Sequence, residues 1–141
     1  MMKIKYPWVI MKTRLTNYGS RDKMTVIKYS EEGFWVEKSD DTYLIGLSDK
    51  GQDDLGEVSF VDLPSEGAVN KDDVLMGVEA AKAVTELTLP FSGTIIAVNE
   101  ALEDEPTLLN SSTREETWIA KLTGVSAAEF ESLMNESGFE G

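Results

Sequence analysis

Residues 74–98 read VLMGVEAAKAVTELTLPFSGTIIAV, and the way the middle of this stretch folds decides the architecture of the chain. Taken alone, Glu79-Ala80-Ala81-Lys82-Ala83 favours a helix: alanine, glutamate and lysine are strong helix formers, and the usual residues of tight hairpins are missing. On that reading Lys82 is one more solvated lysine. The flanks argue otherwise. Val74-Leu75-Met76 and Thr94-Ile95-Ile96-Ala97-Val98 are strand-like runs, and the second begins only after Pro90 and Gly93, which a strand interior does not tolerate. This context outweighs the local propensity and puts Lys82 in a connection between strands.

Outward from this stretch the pattern stays short and strand-like. Phe34-Trp35-Val36, Thr42-Tyr43-Leu44-Ile45 and Val58-Ser59-Phe60-Val61 are separated by turn-rich spacers, which suggests an all-β sandwich or barrel. Ser48 followed by Asp49-Lys50-Gly51-Gln52-Asp53-Asp54-Leu55 and Gly56 reads as a short helix with a hydroxyl N-cap and a terminal glycine, weakened by Gly51. A last helix is expected where Ser126 and Glu129 form a capping box and Phe130, Leu133 and Met134 share one face before Gly138. Trp35 and Trp118 lie in apolar runs and read as core or rim packing rather than ligand stacking.

Composition narrows the chemistry. With 141 residues, 41% of them hydrophobic, the chain suits one compact domain. It has neither cysteine nor histidine, which excludes disulfides, thiolate nucleophiles, zinc–thiolate sites and every His-dependent triad. A net charge of -13 argues against nucleic acid or an anionic membrane and favours protein partners. The acid pairs Asp40-Asp41, Asp53-Asp54, Asp72-Asp73 and Glu115-Glu116 match no calcium-loop spacing and read as solvated loops, so no metal is expected.

The charge is uneven. Residues 1–23 carry six cations against Asp22 alone, a net of +5 that leaves -18 for residues 24–141. The boundary divides a basic N-terminal appendage, 1–23, from a domain, 24–141. The appendage reads as disordered or as the product of an upstream start codon, with Met24 the domain's own beginning; a partner-binding arm is the alternative. Its apolar run Tyr6–Met11 is too short for a signal-peptide core, and nothing in the chain approaches a membrane span.

The surroundings of Lys82 resemble the lipoyl-attachment region of the glycine cleavage system H protein family. The resemblance rests on Glu79 three residues before the lysine, Ala83 just after it, and Pro90-Phe91-Ser92-Gly93, which puts a glycine eleven residues downstream. It extends to LIGLSDKGQDDLGEVSFVDLP at 44–64, to VNEALEDEPTLLN at 98–110, to Trp118 and to the closing acidic helix, spanning roughly residues 25–138. It implies a mainly β fold of the lipoyl/biotinyl type, a flattened barrel-sandwich hybrid of two antiparallel sheets with short peripheral helices and a C-terminal helix. The acceptor lysine would sit at the exposed tip of a hairpin.

By the same resemblance the protein is a carrier rather than an enzyme, with lipoate held as an amide on Lys82, and Glu79, Ala83 and Gly93 belong to the attachment-hairpin motif. Small alanine neighbours would let the lipoyl-modifying enzyme approach an amine that it must deprotonate. The arm would take an aminomethyl group from a pyridoxal-phosphate glycine decarboxylase, pass it to a tetrahydrofolate-dependent aminomethyltransferase, and be reoxidised by dihydrolipoyl dehydrogenase. That role belongs to glycine catabolism and one-carbon metabolism, cytoplasmic in a bacterium or archaeon and in the mitochondrial matrix of a eukaryote.

Three departures stand out. Gly33 and Phe34 precede Trp35 where the family has His-Glu; Ser111–Thr117 replaces a glycine-rich turn; and Glu79-Ala80-Ala81-Lys82 replaces Glu-Ser-Val-Lys. They leave open an H-like lipoyl relay or regulatory protein inactive in glycine cleavage. A biotinyl carrier is disfavoured because Ala81 and Ala83, not methionines, flank the lysine, and an unmodified binding domain of this fold is the remaining alternative.

Overall fold

The computed structural model describes residues 25–135, so the basic segment 1–23, Met24 and the helix stop expected at Gly138 lie outside the described residues. The chain opens with three strands, β1 (Val26–Tyr29), β2 (Phe34–Ser39) and β3 (Thr42–Leu47), followed by helix α1 (Asp49–Leu55). Strands β4 (Val58–Asp62), β5 (Gly67–Val69), β6 (Val74–Ala80), β7 (Val84–Thr88) and β8 (Gly93–Val98) come next. Short helices α2 (Ala101–Asp104) and α3 (Arg114–Thr117) flank a 3₁₀ turn at Pro106–Asn110 before β9 (Trp118–Thr123) and α4 (Ala127–Glu131).

The strands make two antiparallel sheets, one of order β1-β2-β3-β9-β8-β5 and one of order β4-β6-β7. One core lies between them: Phe34, Val36, Ile45 and Ile95 from the larger sheet are buried in the same cluster as Val58, Val61, Leu75 and Val78 from the smaller. Two residues of β6 that adjoin in sequence, Leu75 and Met76, are both buried, because the pairing with β7 slips between Val74 and Met76 and the bulge breaks the alternation. Phe91, fully buried, and Phe130 both pack on Tyr43, at ring-centroid distances of 6.2 and 5.3 Å. Each such ring contributes about 1.5–3 kcal/mol through burial.

All five strand-like runs read from the sequence form strands. The helix expected after Ser48 forms as well: the Ser48 hydroxyl accepts from the Gly51 amide, and Gly56 ends the helix at φ 75°. Gly51, read as a weakness, has a packing reason. A Cβ there would collide with the Gly33 carbonyl oxygen and lie 2.6 Å from Leu47 Cδ1, so the helix approaches the β1–β2 turn only because the side chain is missing.

The last helix is shorter than its apolar spacing suggests. Ser126 caps it, but α4 ends at Glu131, and Met134 exchanges backbone hydrogen bonds with Tyr29 in an isolated bridge instead of continuing the helical face. The capping box is half formed. Glu129 gives its amide to Ser126, while its carboxylate accepts from the Ser92 amide at 2.9 Å, tying α4 to the segment before β8.

Trp35 is packing, as expected. It is buried over Gly46, where a Cβ would strike its ring, and its Nε1 donates to Thr117 Oγ1 at 3.0 Å. Trp118 is half-buried at the start of β9. The segment that replaces the glycine-rich turn passes through α3, and its non-glycine residues need no positive φ.

Candidate functional site

The stretch around Lys82 folds as a hairpin, overriding its helical propensity. Ala80 and Ala83 close it with reciprocal bonds, Ala80 N to Ala83 O at 2.8 Å and Ala83 N to Ala80 O at 3.3 Å, which leaves Ala81 and Lys82 as a two-residue turn. Among the described residues only Asp40 and Asp72 are non-glycines at positive φ, so this is not the I′ or II′ turn that usually joins twisted strands. Tertiary contacts supply what the turn chemistry lacks. The Ala81 amide donates to the Glu57 carbonyl at 2.9 Å and the Lys82 amide to the Leu55 carbonyl at 2.8 Å, fixing the turn to the end of α1 and the loop after it.

That loop is itself held in place. Asn110 donates through Nδ2 to the Gly56 carbonyl at 2.9 Å and accepts at Oδ1 from the Val58 amide at 2.9 Å. Gln52 donates to the carbonyls of Leu109 and Ser111, at 2.8 and 2.7 Å, and so anchors α1 to the same 3₁₀ turn. Gly56 leaves room for the hairpin, since a Cβ there would stand 3.2 Å from Lys82 Cγ and 3.4 Å from the Ala81 side chain.

The Lys82 side chain is exposed, and its ammonium donates to the Asp53 carbonyl at 2.9 Å. Asp53 lies in the last turn of α1, where carbonyls lack helical partners and the helix end favours a cation. The arrangement offers a solvent-facing amine on a firmly placed backbone, flanked by side chains no larger than methyl at Ala81 and Ala83.

Of the residues singled out in sequence, Glu79 and Ala83 share the hairpin with Lys82. Glu79 is exposed on β6, with its carbonyl accepting from Ser59 at 3.1 Å. Gly93 is elsewhere, in the larger sheet opposite Val69, where a Cβ would lie 3.0 Å from Val125 Cγ2 and 3.1 Å from the Thr123 carbonyl. The anchors Leu55, Glu57 and Asp53 act through backbone carbonyls, which carry no sequence signal. Asn110 closes a segment that resembles the family, yet nothing in its residue type marked it as a clamp.

Two of the three departures from the family pattern lie away from the hairpin, and the third, Ala80-Ala81, is part of its turn. Trp35, Ser48, Gln52, Ser111, Thr113 and Arg114 line a cleft of about 300 Å³ beside α1, and Arg114 lies 5.9 Å from the Trp35 ring centroid and 3.6 Å from the Glu37 carboxylate. Phe34 is fully buried and Gly33 packs against Gly51, so neither presents a polar group to that cleft. Among the described residues no three acids stand close enough to hold a metal ion, and no helix is long and apolar enough to cross a membrane.

Comparison with known proteins agrees with the fold and extends it. The sequence profile described as glycine cleavage H-protein matches residues 27–140. The glycine cleavage system H protein of Listeria welshimeri is 42% identical over 113 residues, covering 79% of this chain and 90% of that protein. The Salmonella arizonae protein of the same description is 40% identical over 116 residues, 81% of this chain and 90% of its own length. A crystal structure of a glycine cleavage system H protein from Mycobacterium marinum superposes with a TM-score of 0.64 at 25% identity, over 74% of this chain and 92% of that one. A profile match along most of the length, relatives 40–42% identical and a shared fold agree: the chain belongs to the glycine cleavage H-protein family.

Proposed function

We propose that Lys82 carries lipoyl as an amide and that the protein is the lipoyl carrier of glycine cleavage. The observation that supports this most is the two-residue hairpin, which holds Lys82 at an exposed tip with its turn amides bonded to the end of α1 and to the α1–β4 loop. A carrier lysine must be accessible to a modifying enzyme and start its arm from a fixed point, and this geometry meets both needs.

The residues present fit the group. Ala81 and Ala83 leave the amine sterically open, Gly56 leaves the lysine stem its space, and Asp53 occupies the ammonium with a single carbonyl contact that acylation can replace. When bound, lipoyl supplies a disulfide that opens reductively to accept an aminomethyl group and closes again on oxidation. The chain's own part is to orient the arm and to be recognised by the glycine decarboxylase, the tetrahydrofolate-dependent aminomethyltransferase and dihydrolipoyl dehydrogenase. Protein isolated from its own cells, analysed by intact mass and peptide mapping, is expected to bear lipoyl on Lys82; a bare lysine in cells with active lipoylation would sink the reading.

A second reading, a lipoyl relay inactive in glycine cleavage, draws on the cleft beside α1, whose wall is the altered segment Ser111–Arg114. Reconstitution with the three enzymes, glycine and tetrahydrofolate separates the two. Full transfer supports the first, while complete lipoylation without transfer leaves the second.

A further inference from the structure

The outer face of the smaller sheet carries the two most exposed of the large apolar side chains among the described residues, Val84 and Phe60. Alternation from buried Val58 would carry Phe60 inward, but the pairing with β6 slips between these residues. The bulge turns Phe60 out, and it is 52% exposed although it is one of the largest apolar side chains available to the core. Paired residues share a face, so Phe60, Glu79 and Val84 form one row across β4, β6 and β7, and Asp62, Gly77 and Glu86 form the next. Val84 is 78% exposed.

Gly77 hollows the middle of this grid into a groove of about 310 Å³ with Phe60 and Val84 on its walls. Asp62, Glu79 and Glu86 surround it, and among the described residues none of their carboxylates has a cation partner. Val84 is two residues from Lys82, so at about 3.3 Å per strand residue the groove opens within about 7 Å of the hairpin tip along the backbone.

We infer that this groove is the docking seat of the enzyme that acylates Lys82, receiving an apolar side chain of that enzyme over Gly77 with flanking lysine or arginine residues against the three acids. The inference rests on Lys82 being the modified residue. Charge and shape set the chemistry of the occupant, since a hollow with apolar walls and an acidic rim complements a basic, apolar-tipped segment. Distance selects which enzyme it is. One that forms the amide must bring its carboxyl to Nζ itself and therefore has to touch the protein beside the tip, whereas enzymes served later are reached through the length of the arm. In the step so positioned, the acyl donor's bond to its leaving group breaks and the Nζ–C bond forms. Nζ gives up two of its three protons, and the leaving group departs with the bonding electrons.

The test uses the full chain, made without lipoyl, with a lipoyl-protein ligase, lipoate and ATP, and follows acylation by intact mass. Gly77→Ala fills the hollow with little strain, because its Cβ would meet only the Asp62 Cβ at 3.5 Å. Phe60→Asp and the pair Asp62→Lys with Glu86→Lys alter the wall and the rim. Each is expected to raise KM for the carrier about tenfold with kcat nearly unchanged; KM of the natural protein is expected to rise with salt, and that of the charge-reversed pair to lose this dependence. Melting temperatures close to that of the natural protein, with Gly77→Ala as the mildest change, separate docking from folding.

An unacylated natural protein overturns the assignment of Lys82. A normally acylated natural protein with variants of equal KM overturns the groove alone. Variants that acylate normally but fail with glycine decarboxylase identify a different occupant, and loss of a dimer in the variants identifies a second copy of the chain; either result overturns the inference.

Discussion

Asn110 grips the loop on both sides of Glu57, donating to the Gly56 carbonyl at 2.9 Å and accepting from the Val58 amide at 2.9 Å. Glu57, enclosed between them, offers its carbonyl to Ala81, so one side chain from the 3₁₀ turn sets the height at which the hairpin tip docks. Replacing Asn110 with alanine removes two hydrogen bonds to backbone and is expected to cost about 1–2 kcal/mol, read as a lower urea midpoint at unchanged m. The more specific result is local. In the variant the amides of Ala81 and Lys82 should exchange faster than in the natural protein while the strand amides of β9 keep their rates, and equal exchange in variant and natural protein would remove Asn110 from the site.

Gly51→Ala sets propensity against packing. A glycine in a helix costs about 1 kcal/mol relative to alanine, so propensity alone predicts a gain. The added Cβ meets the Gly33 carbonyl and, at 2.6 Å, Leu47 Cδ1, and Gly33 itself stands at φ 104° with its own carbonyl accepting from Ser48. Overpacking of this kind costs about 1–3 kcal/mol, and because the obstruction is backbone rather than a movable side chain, the net effect is expected to be a loss. A raised melting temperature would mean that α1 can move away from the β1–β2 turn.

The same positions mark how far the sequence can be read. Runs such as Thr42–Ile45 and Thr94–Val98 announce strands because burial imposes an apolar pattern and turn residues bound them. Strand β7 does not, since three of its five residues are exposed, and Val84-Thr85-Glu86-Leu87-Thr88 follows a segment whose composition favours a helix. What makes Ala81-Lys82 a turn is a pair of carbonyls at Leu55 and Glu57, distant in sequence and independent of side-chain identity. Lys82 could be picked out by resemblance; the frame that holds it could not. Gly93 illustrates the converse, a motif residue whose place in the larger sheet, close against Val125 and Thr123, answers to packing.

Trp35→Phe tests the contact between β2 and α3. The indole donates to Thr117 Oγ1 at 3.0 Å, and Thr117 is 2% exposed, so a phenylalanine leaves a buried hydroxyl without its donor. The expected cost is about 1–3 kcal/mol, larger than the loss of one exposed hydrogen bond because the orphaned group stays dehydrated. Thr117→Val in the same background should recover part of it, since removing both partners costs less than removing one. A double variant no more stable than Trp35→Phe would assign the loss to packing over Gly46 instead.

Lys82→Arg separates the lysine's structural contact from its chemistry. A guanidinium keeps a cation and several donors next to the Asp53 carbonyl, and the position is exposed, so stability is expected to stay within about 0.5 kcal/mol of the natural protein. Acylation, by contrast, should vanish. Arginine does not give up its proton in proteins and offers no nucleophilic amine, whereas the lysine amine can be deprotonated by a modifying enzyme. Thermal melting measures the first quantity and intact mass after incubation with ligase, lipoate and ATP the second. A variant that folds normally and still gains the lipoyl mass would move the attachment to another lysine, and peptide mapping of that product would show which one; the hairpin tip would then be a docked turn and not the root of the arm.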